Sequence, residues 1–273
     1  MIPAVPPTRR DDRHPGPTRP DLSLGDSAPA AGAALALLLP EGVAQAEEFG
    51  PPAPAPLTPQ EEAVIARAVT KRRQEFAAVR GCARRALADI GVPYRPLLPG
   101  DRGAPGWPAG VVGSMTHCDG YRAAVVAHAA DFLALGLDAE PHAALPDRVS
   151  DLVLTPVERS RRDTAALAWP QLAWDRLIFS TKESVYKTWF PLTGRWLDFH
   201  DAEVDVMVAA KGTGWEGTFR ADLAVPGVRV GGSVINTFRG RWCVRAGIVL
   251  TTIVLRHPDG SGNGSGQHPE GTG

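Results

Sequence analysis

The amino-acid sequence predicts an α+β protein built from two comparable halves. Two segments carry the same helix-start signal, a threonine cap followed by a proline and, three residues after the cap, a glutamate: Thr58-Pro-Gln-Glu61 and Thr155-Pro-Val-Glu158. Each predicted helical region precedes a group of short strand-like runs. An order of helix then strands that occurs twice favours an α+β fold with two subdomains, although no repeat is visible residue by residue.

Composition predicts where the folded part of the chain begins and ends. Residues 1–32 are proline-rich and charged, and residues 257–273 are mostly Gly, Ser, Pro and polar residues, so both are predicted to be disordered tails. The rest of the 273-residue chain is long enough for a sizeable core. We divide it into an N-terminal subdomain, residues 33–141, and a C-terminal subdomain, residues 142–256.

The first half is predicted to contain a strand, a long helix and three further strands. The apolar run from Ala30 to Ala46 imitates a secretory signal, but a stretch with acidic groups and many prolines precedes it and it is too short to span a bilayer. We therefore predict a first strand there. The helix that starts at Thr58 is expected to run towards Gly91. The three strands that follow are predicted at GVVGSMTHC, YRAAVVAHA and FLALGLDAE.

The second half is predicted to contain two helices followed by strands. Thr155 caps the first helix, and Pro170 is predicted to begin the next one, which includes FSTKESVYKTWF. The strands that follow are predicted at AEVDVMVA, GTFRADLAV, VINTFR and RWCVRAGIVLTTIVL.

Charge and cysteine usage exclude several classes of function. The formal net charge is −1, so no global field favours nucleic acid or an anionic membrane. Cys82, Cys118 and Cys243 are an odd number at spacings that fit neither a disulfide framework nor a zinc site. We expect a cytoplasmic protein that binds neither nucleic acid nor membrane.

The helix that contains FSTKESVYKTWF places a carboxylate on an aromatic face. At about 100° per residue, one stripe of this helix is the predicted core face and a second stripe carries Glu183 among aromatic side chains, with Lys182 between the two stripes. The simplest interpretation is an exposed ion pair of Glu183 with Lys187 at i, i+4. The core stripe comprises Trp174, Leu177, Ile178, Val185 and Trp189, and the second stripe comprises Phe179, Glu183, Tyr186 and Phe190.

A second pair of carboxylates gives Glu183 another possible partner. Asp138 and Glu140 lie two residues apart at the end of a predicted strand, so both side chains point to the same side. Like charges on one face repel unless a cation lies between them, and a hard divalent ion with oxygen ligands is the usual solution. Glu183 would supply a third oxygen ligand. The alternative is an ordinary acidic loop.

Two further segments are candidates for binding an anion. Ser114, Thr116 and His117 in GSMTHC cluster beside a glycine, where the backbone can approach a ligand closely; the alternative is a polar turn. In TKRRQEFAAVRGCARR, Arg72 and Arg80 share about one side of the helix and could clamp a phosphate; the alternatives are a solvated face or a nucleic-acid contact. No nucleophile elbow, catalytic triad or Gly-rich phosphate loop is visible.

Taken together and in order, four segments resemble a known family: KRRQEFAAVRGCARRAL, GSMTHCDGY, GLDAEPH and FSTKESVYKTWF. They are similar to the 4'-phosphopantetheinyl transferases of the surfactin and enterobactin synthetase type, particularly actinobacterial members, over most of residues 58–256. The resemblance implies a pseudo-twofold α+β fold of two subdomains, with coenzyme A and Mg²⁺ bound between them, and a monomer. It also implies transfer of phosphopantetheine from coenzyme A to a serine of an acyl or peptidyl carrier protein, with release of adenosine 3',5'-bisphosphate.

The resemblance assigns roles to the candidate residues. It makes Glu183 and Lys182 catalytic, and it makes Asp138, Glu140 and Glu183 the ligands of Mg²⁺. A carboxylate bound to Mg²⁺ is a poor proton acceptor, so the sequence leaves open whether Glu183 or a metal-bound water takes the serine proton. The residues expected to bind coenzyme A are Arg72, Arg80, Arg102, Ser114, Thr116, His117, Lys182 and Lys187.

The chain departs from the family pattern at two positions, and two alternative functions stay open. Phe179 stands where many relatives have tryptophan, and Pro99 stands where close actinobacterial relatives carry a phosphate-contacting lysine, for which Arg102 is predicted to substitute. One alternative is a relative that binds coenzyme A or a carrier protein without turnover. The other is a nucleic-acid-binding protein that uses the helix from Lys71 to Arg85. Which carrier proteins are served is not visible in the residues.

Overall fold

The structure is a computed structural model that describes residues 34–209 and 214–257. Both predicted tails lie outside these residues, except that His257 is described. The α+β class is confirmed. The helices are α1 (Pro59–Val64), α2 (Thr70–Asp89), α3 (Asp147–Val153), α4 (Pro156–Ala168) and α5 (Trp174–Thr193). The strands are β1 (Ala44–Phe49), β2 (Val111–Cys118), β3 (Tyr121–His128), β4 (Phe132–Pro141), β5 (Ala202–Val208), β6 (Trp215–Leu223), β7 (Val228–Val230), β8 (Ser233–Ile235), β9 (Thr237–Arg245) and β10 (Ile248–Arg256).

The larger strands form two antiparallel sheets. One sheet has the order β1-β3-β2, and the other has the order β4-β10-β9-β6-β5, while β7 and β8 form a separate short ribbon. The proposed subdomain boundary at residues 141/142 places β4 in the first half of the sequence, whereas its hydrogen-bonded neighbour is β10 near the end of the chain. Strand β4 therefore joins the two halves.

Each long helix covers one sheet, and a third cluster fills the space between the sheets. Helix α2 packs its alanines and Leu87 against β1, β2 and β3. Helix α5 packs the predicted core stripe, including Trp174 and Trp189, against the larger sheet. Side chains from β3, β4 and β10 meet between the two sheets, among them Val125, Leu137 and Leu250. Burial of these apolar faces from water is the main force that holds the layers together.

Both predicted capping boxes are confirmed, and both of their glutamates are fully buried. The side chains of Thr58 and Thr155 accept hydrogen bonds from the backbone N–H groups of Glu61 and Glu158, and the glutamates bond back to the cap residues. Glu61 and Glu158 each have 0% exposure, and each also accepts a backbone N–H from a distant segment, Leu97 in the first half and Val204 in the second. The same device thus recurs in the two halves.

Two predictions in the first half were wrong. The predicted strand from Ala30 to Ala46 is instead a short 3-10 turn at Leu35–Leu37 followed by β1, since Leu35 is buried and its N–H donates to Glu47; residues 30–33 lie outside the described residues. The helix from Thr58 does not continue to Gly91 but breaks between α1 and α2. There the guanidinium of Arg73 donates to the carbonyl oxygen of Ile65, which replaces a helical hydrogen bond.

Two predictions in the second half were also wrong in detail. Helix α5 begins at Trp174 rather than at Pro170, because His142 accepts a hydrogen bond from the backbone N–H of Ala173 and holds the preceding turn. The run RWCVRAGIVLTTIVL is two strands, β9 and β10, joined at Ala246 and Gly247, which both have positive φ. A two-residue hairpin turn needs such φ values, but alanine is not a residue that signals them. In addition, α3 was not predicted, and the predicted strand VINTFR is divided at Asn236 between β8 and β9.

Among residues 34–209 and 214–257, no helix combines the length and the apolar character that a bilayer crossing requires.

Candidate active site

The candidate site lies where α5 approaches β4 beside the end of β2. The approach is close because Gly136 in β4 has no side chain: a Cβ there would lie 2.2 Å from the carbonyl oxygen of Ser184 and 2.2 Å from the hydroxyl of Thr188, both on α5. Glycine is therefore required for this packing distance. The short distance brings the polar face of α5 to Asp138, two residues further along β4.

Asp138 is the centre of a buried polar network that joins β2, β4 and α5. Its Oδ1 accepts hydrogen bonds from Lys187 Nζ at 2.7 Å and from Thr116 Oγ1 at 3.3 Å, and its Oδ2 accepts one from Ser180 Oγ at 2.8 Å. Lys187 Nζ also donates to the carbonyl oxygen of Leu137 at 3.0 Å. Asp138 is only 4% exposed, so its charge is stabilised by these donors rather than by water.

Glu183 is close to this network but keeps its carboxylate free. Within the part of the chain that the structure describes, it makes neither a hydrogen bond nor an ion pair, so the predicted Glu183–Lys187 pair is not formed and Lys187 bonds to Asp138 instead. Burial raises the pKa of Glu183, the charge of Asp138 raises it further, and Lys187 opposes both effects. A half-buried carboxylate with a raised pKa and no partner is suited to accepting a proton.

Glu140 is the third carboxylate of the predicted metal site, and Arg176 holds it. Arg176 donates to Glu140 Oε2 at 2.7 Å and also to the carbonyl oxygens of Ala143 and Ala144, so it ties the segment after β4 to α5. Burial raises the pKa of Glu140 to about 7, with a further contribution from Asp138 and an opposing one from Arg176. Both Glu140 and Glu183 thus lie within electrostatic range of Asp138.

The carboxylates do not form a ready-made metal centre. Across residues 34–209 and 214–257 there is no group of three or more His, Cys, Asp or Glu side chains positioned to hold a metal ion. The donor set nevertheless suits a hard divalent cation, because Asp138 raises the pKa of both Glu140 and Glu183, and a cation would relieve that repulsion. Mg²⁺ at these residues stays a prediction.

A basic group lies beside the carboxylates at the start of α2. Arg72 Nη1 is 2.5 Å from His117 Nε2, and Glu75 lies 3.8 Å from both side chains. Burial lowers the pKa of His117, and the positive charges of Arg72 and Lys187 lower it further. Lys187 belongs to the Asp138 network, so His117 lies within electrostatic range of that network, although His117 and Thr116 are consecutive in β2 and point to opposite faces of the sheet. Of the predicted anion-binding residues, Arg72 contacts His117 and Lys187 contacts Thr116, while the charge of Lys187 acts on His117.

Three other predicted ligands of coenzyme A have different positions. Lys182 Nζ is buried and lies 2.8 Å from Glu158, while its expected contact with the phosphates of coenzyme A stays a prediction. Arg80 is buried on α2, where it donates to the carbonyl oxygen of Leu97 at 2.8 Å and lies 3.5 Å from Glu61. The hydroxyl of Ser114 accepts the backbone N–H of Leu137 at 3.0 Å and so joins β2 to β4. In each case the polar group has an internal partner, although Arg80 Nε is buried without a hydrogen bond.

Arg102 is exposed and lies at a different edge of the site. Its guanidinium is 5.1 Å from the ring centre of Trp196, which in turn stacks edge-on against Tyr186 of α5 at 5.2 Å. The positive charge of Arg102 lowers the pKa of Tyr186, although burial of the ring outweighs this effect and raises it. Arg102 therefore approaches the helix that carries Glu183. Its predicted contact with coenzyme A is neither supported nor opposed by these neighbours.

Several residues of the site were not predicted from the sequence. Ser180 donates to Asp138 and lies within 3.0 Å of Thr251 on β10, so it links the site to the centre of the larger sheet. Ser180 precedes Glu183 by three residues, and this helical spacing could have indicated a shared face. Arg176 and Glu158 could not have been recognised in this way, because their partners are distant in sequence.

Comparison with known proteins identifies the family of the chain. The family model of the 4'-phosphopantetheinyl transferase N-terminal domain matches residues 60–127, and that of the 4'-phosphopantetheinyl transferase superfamily matches residues 134–219. The chain belongs to the 4'-phosphopantetheinyl transferase superfamily.

Three curated actinobacterial relatives cover most of the chain. It is 53% identical over 211 residues to the 4'-phosphopantetheinyl transferase Svp of Streptomyces mobaraensis, covering 77% of this chain and 83% of the relative. It is 47% identical over 229 residues to PptT of Mycobacterium tuberculosis, covering 82% and 99%. It is 47% identical over 218 residues to Npt of Nocardia iowensis, covering 79% and 97%. The predicted family is thereby confirmed.

Proposed function

We propose that this chain transfers the 4'-phosphopantetheine group of coenzyme A to a serine of an acyl or peptidyl carrier protein. The serine oxygen forms a new bond to the phosphorus nearer to pantetheine, and the bond between that phosphorus and the bridging pyrophosphate oxygen breaks. Adenosine 3',5'-bisphosphate leaves with the electron pair, and the serine loses its proton. Besides family membership, the observation that carries the proposal is the carboxylate of Glu183, which is within electrostatic range of Asp138 and is paired with none of the residues that the structure describes.

Two positive side chains are placed to bind the phosphates. Lys187 donates to Asp138, Thr116 and Leu137, so its three donors have internal acceptors, but its side chain is 27% exposed and can exchange one of these bonds for a phosphate oxygen. Arg72 is half-exposed next to His117, at the end of α2 that faces β2. Charge-assisted hydrogen bonds from these groups would hold the phosphate oxygens and offset their negative charge.

The proposed Mg²⁺ ligands are Asp138, Glu140 and Glu183. When bound, the ion would neutralise charge on the pyrophosphate oxygens during transfer. The ammonium group of Lys187 already neutralises part of the Asp138 charge, and Arg176 orients the Glu140 carboxylate. These contacts keep the acidic side chains in place in spite of their mutual repulsion.

Glu183 is also proposed to hold the proton that the carrier serine loses, which requires its carboxylate to be free of Mg²⁺ at that step, because a metal-bound carboxylate is a poor proton acceptor. Burial and the nearby Asp138 raise the pKa of Glu183, which increases its basicity at neutral pH. The backbone of α5 fixes the direction of this side chain, since Ser180 and Lys187 on neighbouring turns are both bonded to Asp138. The chain therefore provides an oriented proton acceptor within a charged and partly dry site.

One experiment tests the proposed function directly. The purified chain is incubated with coenzyme A, Mg²⁺ and a panel of apo acyl and peptidyl carrier proteins, and the carriers are examined by intact mass spectrometry. We expect a gain of one phosphopantetheinyl group, absent when coenzyme A or Mg²⁺ is omitted. Binding of coenzyme A without any mass gain would instead support the non-catalytic alternative. A monomeric, cytoplasmic state stays a prediction that light scattering and cell fractionation can test.

A further inference from the structure

We propose that Glu158 and Lys182 form a positioning pair that fixes the rotation of α5, so that Glu183 faces the Asp138 network. The pair is not expected to touch coenzyme A or the carrier protein. This inference deepens the proposed function and rests on it, because its effect on catalysis requires Glu183 to act in transfer.

All three donors of the Lys182 ammonium group have internal acceptors. Lys182 Nζ donates to the carbonyl oxygen of Val153 at 2.9 Å and to that of Phe199 at 2.6 Å, and it lies 2.8 Å from Glu158 Oε2. The residue is only 3% exposed. An ammonium group has three N–H donors, so no donor is left for a phosphate unless one of these bonds breaks.

Glu158 is fixed as firmly as Lys182. Its Oε2 accepts the backbone N–H of Thr155 at 2.8 Å, which closes the capping box of α4, and its Oε1 accepts the backbone N–H of Val204 at 2.7 Å. The pair consequently connects the end of α3, the start of α4, the middle of α5 and the first residues of β5. A side chain fixed at this many points is a firm anchor for α5.

The pair and the site hold α5 from nearly opposite sides. At about 100° per residue, Lys182 is roughly 160° from Ser180 around the helix and about 100° from Glu183. Ser180 and Lys187 bond to Asp138 on one side, and Lys182 bonds to Glu158 on the other. A helix held at both sides cannot rotate, so the direction of Glu183 between them is set.

A direct phosphate contact by Lys182 would have a high energetic cost. Turning the ammonium group outward would leave Glu158, which is 0% exposed, with an uncompensated charge in the protein interior. Leaving one charge of a buried ion pair without its partner is strongly destabilising. The pair is therefore expected to stay intact through the reaction.

The test uses single and double substitutions with a matched control. Glu158→Gln, Lys182→Met and the double variant are compared with Arg161→Gln, which removes an exposed ion pair with Glu203 from the same helix, α4. Transfer kinetics are measured well below each midpoint of thermal unfolding and corrected for the folded fraction by circular dichroism. The double variant removes both charges, so it keeps the test valid if a single variant with one unpaired buried charge does not fold.

We expect kcat to fall about 10- to 100-fold in Glu158→Gln and Lys182→Met, as small displacements of a reacting group typically cause. The KM for coenzyme A should stay within about twofold, because binding residues are untouched. The double variant should lose about as much as one single variant, since the two residues act as a unit. The Arg161→Gln control should match the wild type.

Two kinetic outcomes would overturn the proposal. A loss in Lys182→Met with normal kcat in Glu158→Gln would mean that Lys182 acts on substrate directly. A lower unfolding midpoint with unchanged kcat per folded molecule would mean that the pair only stabilises the fold. If the wild type showed no transfer, the proposed function would fail, and hydrogen exchange of the α5 amides would test the positioning pair instead. Faster exchange in the Glu158 and Lys182 variants than in the Arg161→Gln control would support the pair as an anchor of α5, and equal exchange would refute it.

Discussion

Helix α2 in the first half and helix α5 in the second half are both 20 residues long, and each follows a short capped helix whose buried glutamate binds it. In the first half, Glu61 lies 3.5 Å from Arg80; in the second, Glu158 lies 2.8 Å from Lys182. The two halves therefore share one arrangement, a buried glutamate beside a cation on the long helix, but the contact is closer in the second half, and Arg80 Nε makes no hydrogen bond to Glu61.

The two buried pairs differ in how far along their helices they lie from the candidate site residues. Arg80 lies two turns along α2 from Arg72, the residue that reaches His117, and its guanidinium covers the ring of Phe76. Lys182 is the direct neighbour of Glu183. Substitutions that break the first pair should therefore mainly lower the free energy of unfolding, whereas substitutions that break the second pair should also lower kcat.

The largest effect is expected at Asp138, the group to which α5 is bound on its reactive side. Asp138→Ala removes the common acceptor of Lys187, Thr116 and Ser180 and one proposed metal ligand. We expect transfer to fall by about 10³-fold or more, at or above the range for loss of one positioned donor. The kinetics are compared with those of Asp205→Ala, an exposed acidic residue on β5. Near-normal turnover of Asp138→Ala at low Mg²⁺ would show that Asp138 is not part of the active site.

A methyl group at Gly136 tests whether α5 must lie close to β4. The new Cβ in Gly136→Ala would overlap two atoms of α5 at 2.2 Å, so the helix must shift. We expect a loss of about 1–3 kcal/mol in the free energy of unfolding, as in other overpacked cores, together with a lower kcat. Urea unfolding measures the first, with Gly100→Ala as control, where a Cβ would meet its nearest atom at 3.4 Å. An unchanged kcat would show that the spacing does not matter.

The first half should respond in substrate binding rather than in turnover. Arg72→Ala removes a half-exposed guanidinium beside His117. The KM for coenzyme A should rise by a factor that corresponds to the loss of about 1–3 kcal/mol of charged hydrogen bonding, while kcat stays nearly constant. Arg67→Ala, at an exposed arginine before α2, is the matched control. If kcat falls while the KM for coenzyme A stays unchanged, Arg72 takes part in the chemical step, and the proposed division of roles between the two halves is wrong.

The smallest effect concerns the pH dependence of the first anchor. Burial raises the pKa of Glu61, but hydrogen bonds from Thr58, Tyr94 and Leu97 outweigh it, so the pKa is below its ordinary value of 4.5. Stability from a lowered pKa is present above the unfolded value and is lost as the pH falls through the folded value. The difference in unfolding free energy between wild type and Glu61→Gln should therefore shrink below about pH 4.5. A difference that stays constant down to pH 3 would contradict this.

Local patterns in the sequence predicted the elements but not the partners of buried charges. The capping boxes at Thr58 and Thr155, and the core stripe of α5, depend on neighbours three or four residues away, and the structure confirms them. Arg80 and Lys182 were expected to bind phosphates, but their partners come from other elements and only tertiary packing places them there. The break between α1 and α2 has the same origin, because Arg73 binds the freed carbonyl group.

A crystal structure of the chain with coenzyme A and Mg²⁺ tests the central claim most directly, namely that Lys182 and Arg80 are internal anchors. The account predicts phosphate oxygens in contact with Arg72, His117 and Lys187, while Lys182 Nζ stays bonded to Glu158 and Arg80 stays bonded to Leu97. A phosphate oxygen within hydrogen-bond distance of Lys182 Nζ or of the Arg80 guanidinium would contradict it.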